Sequence, residues 1–553
     1  MKNFTLLVLL LFSATLLKAQ NVITVTDEDL NGTTTWTNDN EYILDGFVFL
    51  EEGTLTIQPG TVIRGREVPS TGDNASALII TTGAKINAVG TADNPIIFTA
   101  EDDDLSDPAD LDVKLDRGLW GGLLLLGKGV LGFNDTEAQV EGIESTEVRA
   151  RYGGTDDTHN SGVLKYVSIR HGGAELSEDN EINGLTMGGV GSQTVIEHVE
   201  VIANDDDGFE WFGGTVNCKW LISAFNKDDA FDYDFGWRGK GQFWFVVQAD
   251  DLADNAGEHD GAKDDDKTPY SNPVIYNVTY IGSGMDASAA DLKNSTALHF
   301  RDNAAGTYAN SIFTDFKNYA IEVEDLASGV DSRQNMEAGE LALKNNIWYG
   351  FGSGSELNAG ENGIIRATEG AEDPTAQFLV DHLTNNNNSQ DDPMLRGISR
   401  ETDNGLDPRP SSASPAWTMA RAELPGEWFS QADYIGAFGL ENWVTSWTAL
   451  DEYGYIGDLS VGIYDISEAK GFNLGQNYPN PFNGSTTIEY SVDSKTFVNL
   501  SVFDIAGKVV KTLVNETKTK GSYKVQISNL ERGIYLYQLV AGNNKAVKKM
   551  IVK

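Results

Sequence analysis

Hydrophobic residues in this chain come in short runs that alternate with polar ones, and the runs are closed by Gly, Asp and Asn. Val199 and Val201, then Trp220 and Ile222, lie two apart, as one face of a β-strand requires. The pattern also repeats. The stretch 204–211 (NDDDGFEW) returns at 226–233 (NKDDAFDY), a step of 22 residues. The same offset carries Val199 to Leu221 and Phe243, and carries Asp206-Asp207 to Asp228-Asp229 and Asp250-Asp251. Helical repeats of this length need amphipathic runs of about ten residues or more; short alternating strands between tight turns predict stacked coils, a parallel β-helix.

Further strand-and-turn units are expected at 53–63, 78–86, 95–99, 120–131, 163–173 and 184–189, and beyond the central repeat at 274–281, 297–300, 310–323 and 341–348. The polar or acidic segments 100–116, 146–160 and 250–267 read as loops projecting from the stack. Residues 1–19, a lysine followed by an apolar run and a small residue, read as a secretory signal peptide. Residues 20–50 are expected to cap the open end of the stack, and 51–458 to form the β-helix. The Trp-rich part of 407–455 would be its C-terminal closing layer. After a linker at 459–472, residues 473–553 read as a small Ig-like β-sandwich with strands near 486–492, 498–503, 508–514, 521–527, 533–541 and 546–552.

Charge divides the chain in the same place. The formal net charge is −43, which argues against nucleic acid as a partner. Residues 470–553 hold 12 Lys and Arg against 5 Asp and Glu, whereas 21–469 hold 26 against 78. An acidic passenger thus precedes a basic tail. Cys218 is the only cysteine, so the chain has no internal disulfide; in the repeat it falls on the apolar position of Ile196 and reads as a buried hydrophobe. No other apolar run is long enough for a membrane helix.

The repeated acidic pairs bear on function. Coils of a β-helix stack about 4.8 Å apart, so Asp206, Asp207, Asp228, Asp229, Asp232, Asp250 and Asp251 would form columns of like charge. At that spacing each pair repels by roughly 1 kcal/mol in water and more near a protein surface. Such a column suits calcium, which takes six to eight oxygen ligands in flexible geometry. The same residues also suit Asx-turns at coil corners. Trp211, Tyr233 and Trp237, with Phe212 and Trp244, are candidates for a sugar-stacking platform or for an interior aromatic stack. His171, His198, His259 and His299 read as structural.

Two resemblances follow. The motifs at 476–483 (QNYPNPFN), 502–508 (VFDIAGK) and 530–539 with 548–553 resemble, in order, the type A C-terminal sorting domain of the Bacteroidota type IX secretion system. That resemblance implies export across the outer membrane by the type IX machinery. It also implies removal of the tail by a sortase-like peptidase, with release or attachment to surface lipopolysaccharide. The passenger, through 118–122 (GLWGG) and 207–214 (DGFEWFGG), resembles right-handed parallel β-helix surface proteins of Bacteroidota, mostly without assigned function.

Parallel β-helices often host polysaccharide lyases and hydrolases. Clustered carboxylates such as Asp206, Asp207, Asp228 and Asp229 suit acid and base roles. The Gly-His-Gly and Arg-x-Lys elements of polygalacturonase-like enzymes are missing, however, and 170–173 (RHGG) only faintly echoes them. A lyase would need a base beside calcium, for which Arg238, Lys240 or Arg301 could serve. The leading expectation is a calcium-stabilised adhesin or glycan-binding surface protein. A calcium-dependent lyase or hydrolase, and a structural surface-layer component, are the alternatives.

Overall fold

The computed structural model describes residues 21–133, 136–177, 180–263, 266–288, 295–368 and 370–457. It also describes 473–553 except 476, 478–479, 481, 493, 505–508, 529, 531 and 542–543. The expected signal peptide, the expected linker, and Asp264 and Asp265 of the acidic loop lie outside the described residues. The chain divides into two compact units, Met1–Gly457 and Asp458–Lys553.

The first unit is a parallel β-helix with three strand-bearing sides. One side is a ten-stranded sheet running from Phe47–Leu50 through Ala77–Ile80, Leu123–Leu126, Leu185–Gly188, Phe209–Phe212, Phe231–Asp234, Glu258–Asp260, Leu298–Arg301 and Ile321–Val323 to Ile365–Ala367. The other two sides belong to a single 18-stranded sheet, because Gly162–Arg170, Val195–Ile202 and Asn217–Ala224 each run across both. Alternate side chains of all three sides point inward and form one continuous apolar core from Val25 to Leu383.

The crease between the two joined sides has an unusual backbone. Tyr166, His198, Trp220 and Phe243 stand above one another there with φ of +50°, +56°, +54° and +60°, and Asn277, Asn310 and Asn345 continue the column. Left-handed backbone at a bulky residue costs about 1–2 kcal/mol. The four rings offset that cost by stacking, with centroids 4.4, 4.6 and 5.6 Å apart.

The period of 22 holds for one step only. Phe209 pairs with Phe231 and Val195 with Asn217, but Ile222 pairs with Phe245, a step of 23, and Tyr233 with His259, a step of 26. The counterpart of Leu221 is therefore Trp244, not Phe243, and the residues above Asp228-Asp229 are Asp254-Asn255, not Asp250-Asp251.

Three other expectations are corrected. Residues 21–50 are the first coil, not a cap: Asn21–Val25, Thr34–Trp36 and Phe47–Leu50 pair in parallel with strands of the next coil. The segment 146–160 does not project. Its Arg151–Tyr152 pairs with Ala138–Gln139, and Val140, Ile143, Ala150 and Tyr152 pack on Phe49, Ile79, Leu124 and Leu126. Residues 406–457 run as a strap along the outside of the 18-stranded sheet. Backbone carbonyls of Ala420, Ala422 and Tyr434 accept from the side chains of Asn345, Asn310 and Asn277, and the N–H groups of Ala449 and Leu450 donate to buried Glu200. The interior beside Leu341–Lys344 is filled by Leu379 and Leu383 of the helix Gln377–Asn385.

The second unit consists of a three-stranded and a four-stranded antiparallel sheet around Leu474, Ile488, Leu500, Tyr537 and Met550. Its long strands are Ser485–Val492, Thr496–Asp504, Val509–Lys518, Gly521–Ser528, Gly533–Ala541 and Asn544–Val552.

Candidate functional site

The outward face of the ten-stranded sheet carries one register-matched column through every strand: Phe49, Ile79, Leu124, Thr186, Glu210, Asp232, Glu258, His299, Glu322 and Arg366. Its chemistry changes along the axis. The first three residues are apolar and are covered by the folded-back segment 138–152. From Glu210 the column is acidic, and after Glu258 acidic and basic residues alternate. Asp234, Asp260 and Arg301 form a parallel column two residues further along. The Gly213-Gly214 turn after Phe209–Phe212 has φ of +70° and +75°, with Val190 O only 2.4 Å from where a Cβ on Gly214 would stand. Only glycine fits so tight a turn at the margin of this face.

At the other margin the turn residues stack as well. Asp207 Oδ1 accepts the Asp229 N–H at 2.9 Å, and Asp229 Oδ1 accepts the Asn255 N–H. These bonds run from coil to coil and are not the Asx-turns expected at the corners: each carboxylate of the column holds the backbone of the next turn. Among the described residues, three groups bring ligand atoms within 4.8 Å of one another: Asp206, Asp207 and Asp228; Asp207, Glu210 and Asp232; Asp228, Asp229 and Asp254.

The electrostatics follow from the crowding of buried carboxylates. Burial and then the charges of Asp228 and Glu181 push Asp206 up to about 7. Burial, followed by neighbouring carboxylates, also raises Asp207, Glu210, Asp229, Asp232 and Asp234 well above the usual carboxylate range. Asp260 rises to about 6 through burial, although Arg301 Nε at 2.6 Å pulls the other way. Burial would lower the His299 pKa, but Glu258 Oε1, 3.2 Å from Nδ1, and the charge of Glu322 outweigh it and hold it above the ordinary value. Arg301 bridges Glu258 at 3.0 Å and Asp260, while 43% of its side chain stays exposed to solvent.

A coiled, three-sided parallel stack of this kind has a match among protein families: the model described as pectate-lyase like beta helix domain covers residues 28–392. The chain belongs to the pectate-lyase-like β-helix family. Residues 476–553 match the secretion system C-terminal sorting domain, so the protein is exported across the outer membrane to the cell surface or the extracellular space. No curated protein matches the chain. Among the described residues, no helix is long and apolar enough to cross a membrane.

For a pectate-lyase-like β-helix, the structure brings together Asp206, Asp207, Asp228, Asp229 and Asp232, and separates the other expected residues from them. Asp250 and Asp251 are ion-paired to Lys114 at 2.6 Å and Arg117 at 3.4 Å. Arg238 is held by Asp157 at 3.3 Å, and Lys240 lies in the 18-stranded sheet between Asn217 and Val274. Of the three basic candidates, Arg301 alone stands among the carboxylates. Trp211, Tyr233 and Trp237 are fully buried, as are Trp244 and nearly all of Phe212, so none of them is a sugar platform. Trp211, Tyr233, Trp237 and Trp244 fill the interior, where Trp211 stacks on Trp244 at 5.1 Å and Tyr233 on His259 at 3.9 Å, whereas Phe212 faces outward and is covered by Tyr152. His198 packs between Tyr166 and Trp220, and His171 is buried with Nδ1 on the Asp116 carbonyl at 2.6 Å. Glu210, Asp254, Glu258, Asp260 and Glu322 stand at the site without having been expected there. The alternation FEW and FDY, outward at its middle residue, was the available signal for Glu210, and the altered coil lengths hid the others.

Proposed function

We propose that the protein is a cell-surface or secreted glycan-binding β-helix whose acidic face works with bound divalent cations, calcium first among them. The observation that carries this reading is the column in which Glu210, Asp232 and Glu258 give way to His299, Glu322 and Arg366. Carboxylates so close together repel and stay partly protonated unless a cation joins them. Calcium fits because every donor is a hard oxygen and the geometry is irregular. A cation-loaded face beside the exposed guanidinium of Arg301 offers positive charge to an acidic polysaccharide, where the bare carboxylates would repel it. The family's description, which likens its fold to an enzyme of pectate, supports a polysaccharide partner. Attachment to surface lipopolysaccharide after a sortase removes the tail is the corresponding reading of how the protein is retained.

A second reading, as a polysaccharide lyase or hydrolase, is favoured by Asp206, which at about 7 is poised to take up or give a proton at neutral pH beside Asp228. One experiment separates the two: immobilised acidic and neutral polysaccharides are offered to the passenger with calcium and with chelator. Calcium-dependent retention without chain cleavage supports the binder. Cleavage, with new unsaturated or reducing ends, supports the enzyme. Retention that is indifferent to chelator sinks the cation-dependent reading.

A further inference from the structure

The three carboxylate groups share members. Asp207 belongs to the group with Asp206 and Asp228 and to the group with Glu210 and Asp232; Asp228 belongs to the first group and to that with Asp229 and Asp254. A cation in one group therefore cannot be coordinated without touching a ligand of the next. Carboxylates offer two oxygens each, so a shared Asp can bridge two ions, as in two-metal centres where the ions stand about 4 Å apart.

A second observation, independent of the carboxylates, lies at one end of the array. Asn255 takes the place in its coil that Asp229 and Asp207 take in theirs, and it is only 1% exposed. Its N–H donates to Asp229 Oδ1 and its Nδ2 to Glu258 Oε1 at 3.2 Å, which fixes the carboxamide within the array. Its Oδ1 is nevertheless buried with no hydrogen-bond partner among the described residues. A buried amide oxygen left in that state costs about 1–3 kcal/mol. It is also a neutral hard ligand of the kind calcium recruits beside carboxylates. Asp232 Oδ1, in the middle group, is likewise buried without a partner.

We propose that the array binds divalent cations as a linked chain of ions, with Asp207 and Asp228 as bridging ligands and Asn255 Oδ1 completing the end site beyond Asp254. This rests on the cation-dependent reading above and adds to it the number and linkage of the ions. The charge balance agrees: the three groups comprise seven carboxylates, against six positive charges from three divalent ions. A protein-borne chain of this kind needs no substrate to complete it, so calcium alone should fill it.

The test is calcium counting on the full chain, by calorimetric titration and by equilibrium dialysis against calcium alone, with circular dichroism to confirm that each variant is folded. Wild type is expected to bind three ions, one for each group. Glu210→Gln should lose one ion, whereas Asp207→Asn and Asp228→Asn should each lose two. Asn255→Ala should weaken one site about tenfold, and Asp250→Asn, outside the groups, should change nothing. A wild-type count of one, or equal losses for Asp207→Asn and Glu210→Gln, overturns the chain of ions. A single ion with calcium-dependent glycan retention sinks the linkage and leaves the functional reading standing. Three ions without glycan retention does the reverse.

Discussion

Asp207 and Asp229 occupy the same position in successive coils, and the N–H of Asp229 donates to Oδ1 of Asp207 at 2.9 Å. One carboxylate oxygen thus locks the turn above it while the rest of the side chain adds to a line of negative charge. Stacking and repulsion are built from the same residues.

The metal-free protein is expected to become less stable as pH rises through the neutral range. A carboxylic acid whose pKa is raised by folding stabilises the fold below its unfolded pKa, and that contribution is lost as pH climbs through the folded value. Asp206 moves from 3.8 to about 7 and Asp260 to about 6. Thermal melts in chelator should therefore fall between about pH 4 and 7, and calcium should flatten the slope. A melting temperature that climbs with pH in chelator would count against the crowded column.

Calcium is expected to raise the melting temperature of the passenger at pH 7.5 by mass action on the folded state. Asp207→Asn should reduce the gain more than Glu210→Gln. Equal melting temperatures with calcium and with chelator remove the cation from the account.

Arg301→Ala is expected to weaken retention on an acidic polysaccharide about tenfold, because this guanidinium lies partly open beside the column. Arg238→Ala, which breaks the ion pair with Asp157 and the hydrogen bonds to the Val130 and Gly236 carbonyls, away from the acidic groups, should leave retention unchanged. Affinity chromatography with salt elution reads both, and identical behaviour of the two variants would displace Arg301 from the site.

Trp211→Ala is expected to destabilise the passenger by about 3 kcal/mol or more by opening a cavity inside the stack. Urea denaturation gives the size of the loss. A stable Trp211→Ala protein that merely loses glycan binding would restore the ring to the surface.

Deleting residues 476–553 is expected to stop export of the passenger across the outer membrane. Fractionation of cells expressing the full and truncated chains decides it; equal amounts outside the cell would assign the signal elsewhere.

Much of the fold was legible because alternation and a fixed step of 22 are local properties of the chain. Val195 pairs with Asn217 and Phe209 with Phe231 as that step requires. The site was less legible because coil length is set by loops, which tolerate insertion. One extra residue before Phe245 and more before His259 were enough to exchange Asp250-Asp251 for Asp254-Asn255. The aromatic residues show a different limit. Trp211 and Glu210 are neighbours on one strand, one inside and one outside, and period-2 alternation does not say which is which without knowing the side that faces the core. The αL crease was invisible for a related reason: Trp220 and His198 are poor choices for positive φ taken singly, and only the stack justifies them.

The strap alters how this molecule comes apart. A solenoid held by neighbour contacts alone can unzip from either end, coil by coil. Here buried Arg170 is tied to Glu452, 282 residues along the chain, at 2.7 Å, and coils as distant as those of Glu200 and Asn345 hold the same strap. A coil that opens between Arg170 and Asn345 therefore meets a tether anchored several coils away, so this part of the stack is expected to melt together rather than peel.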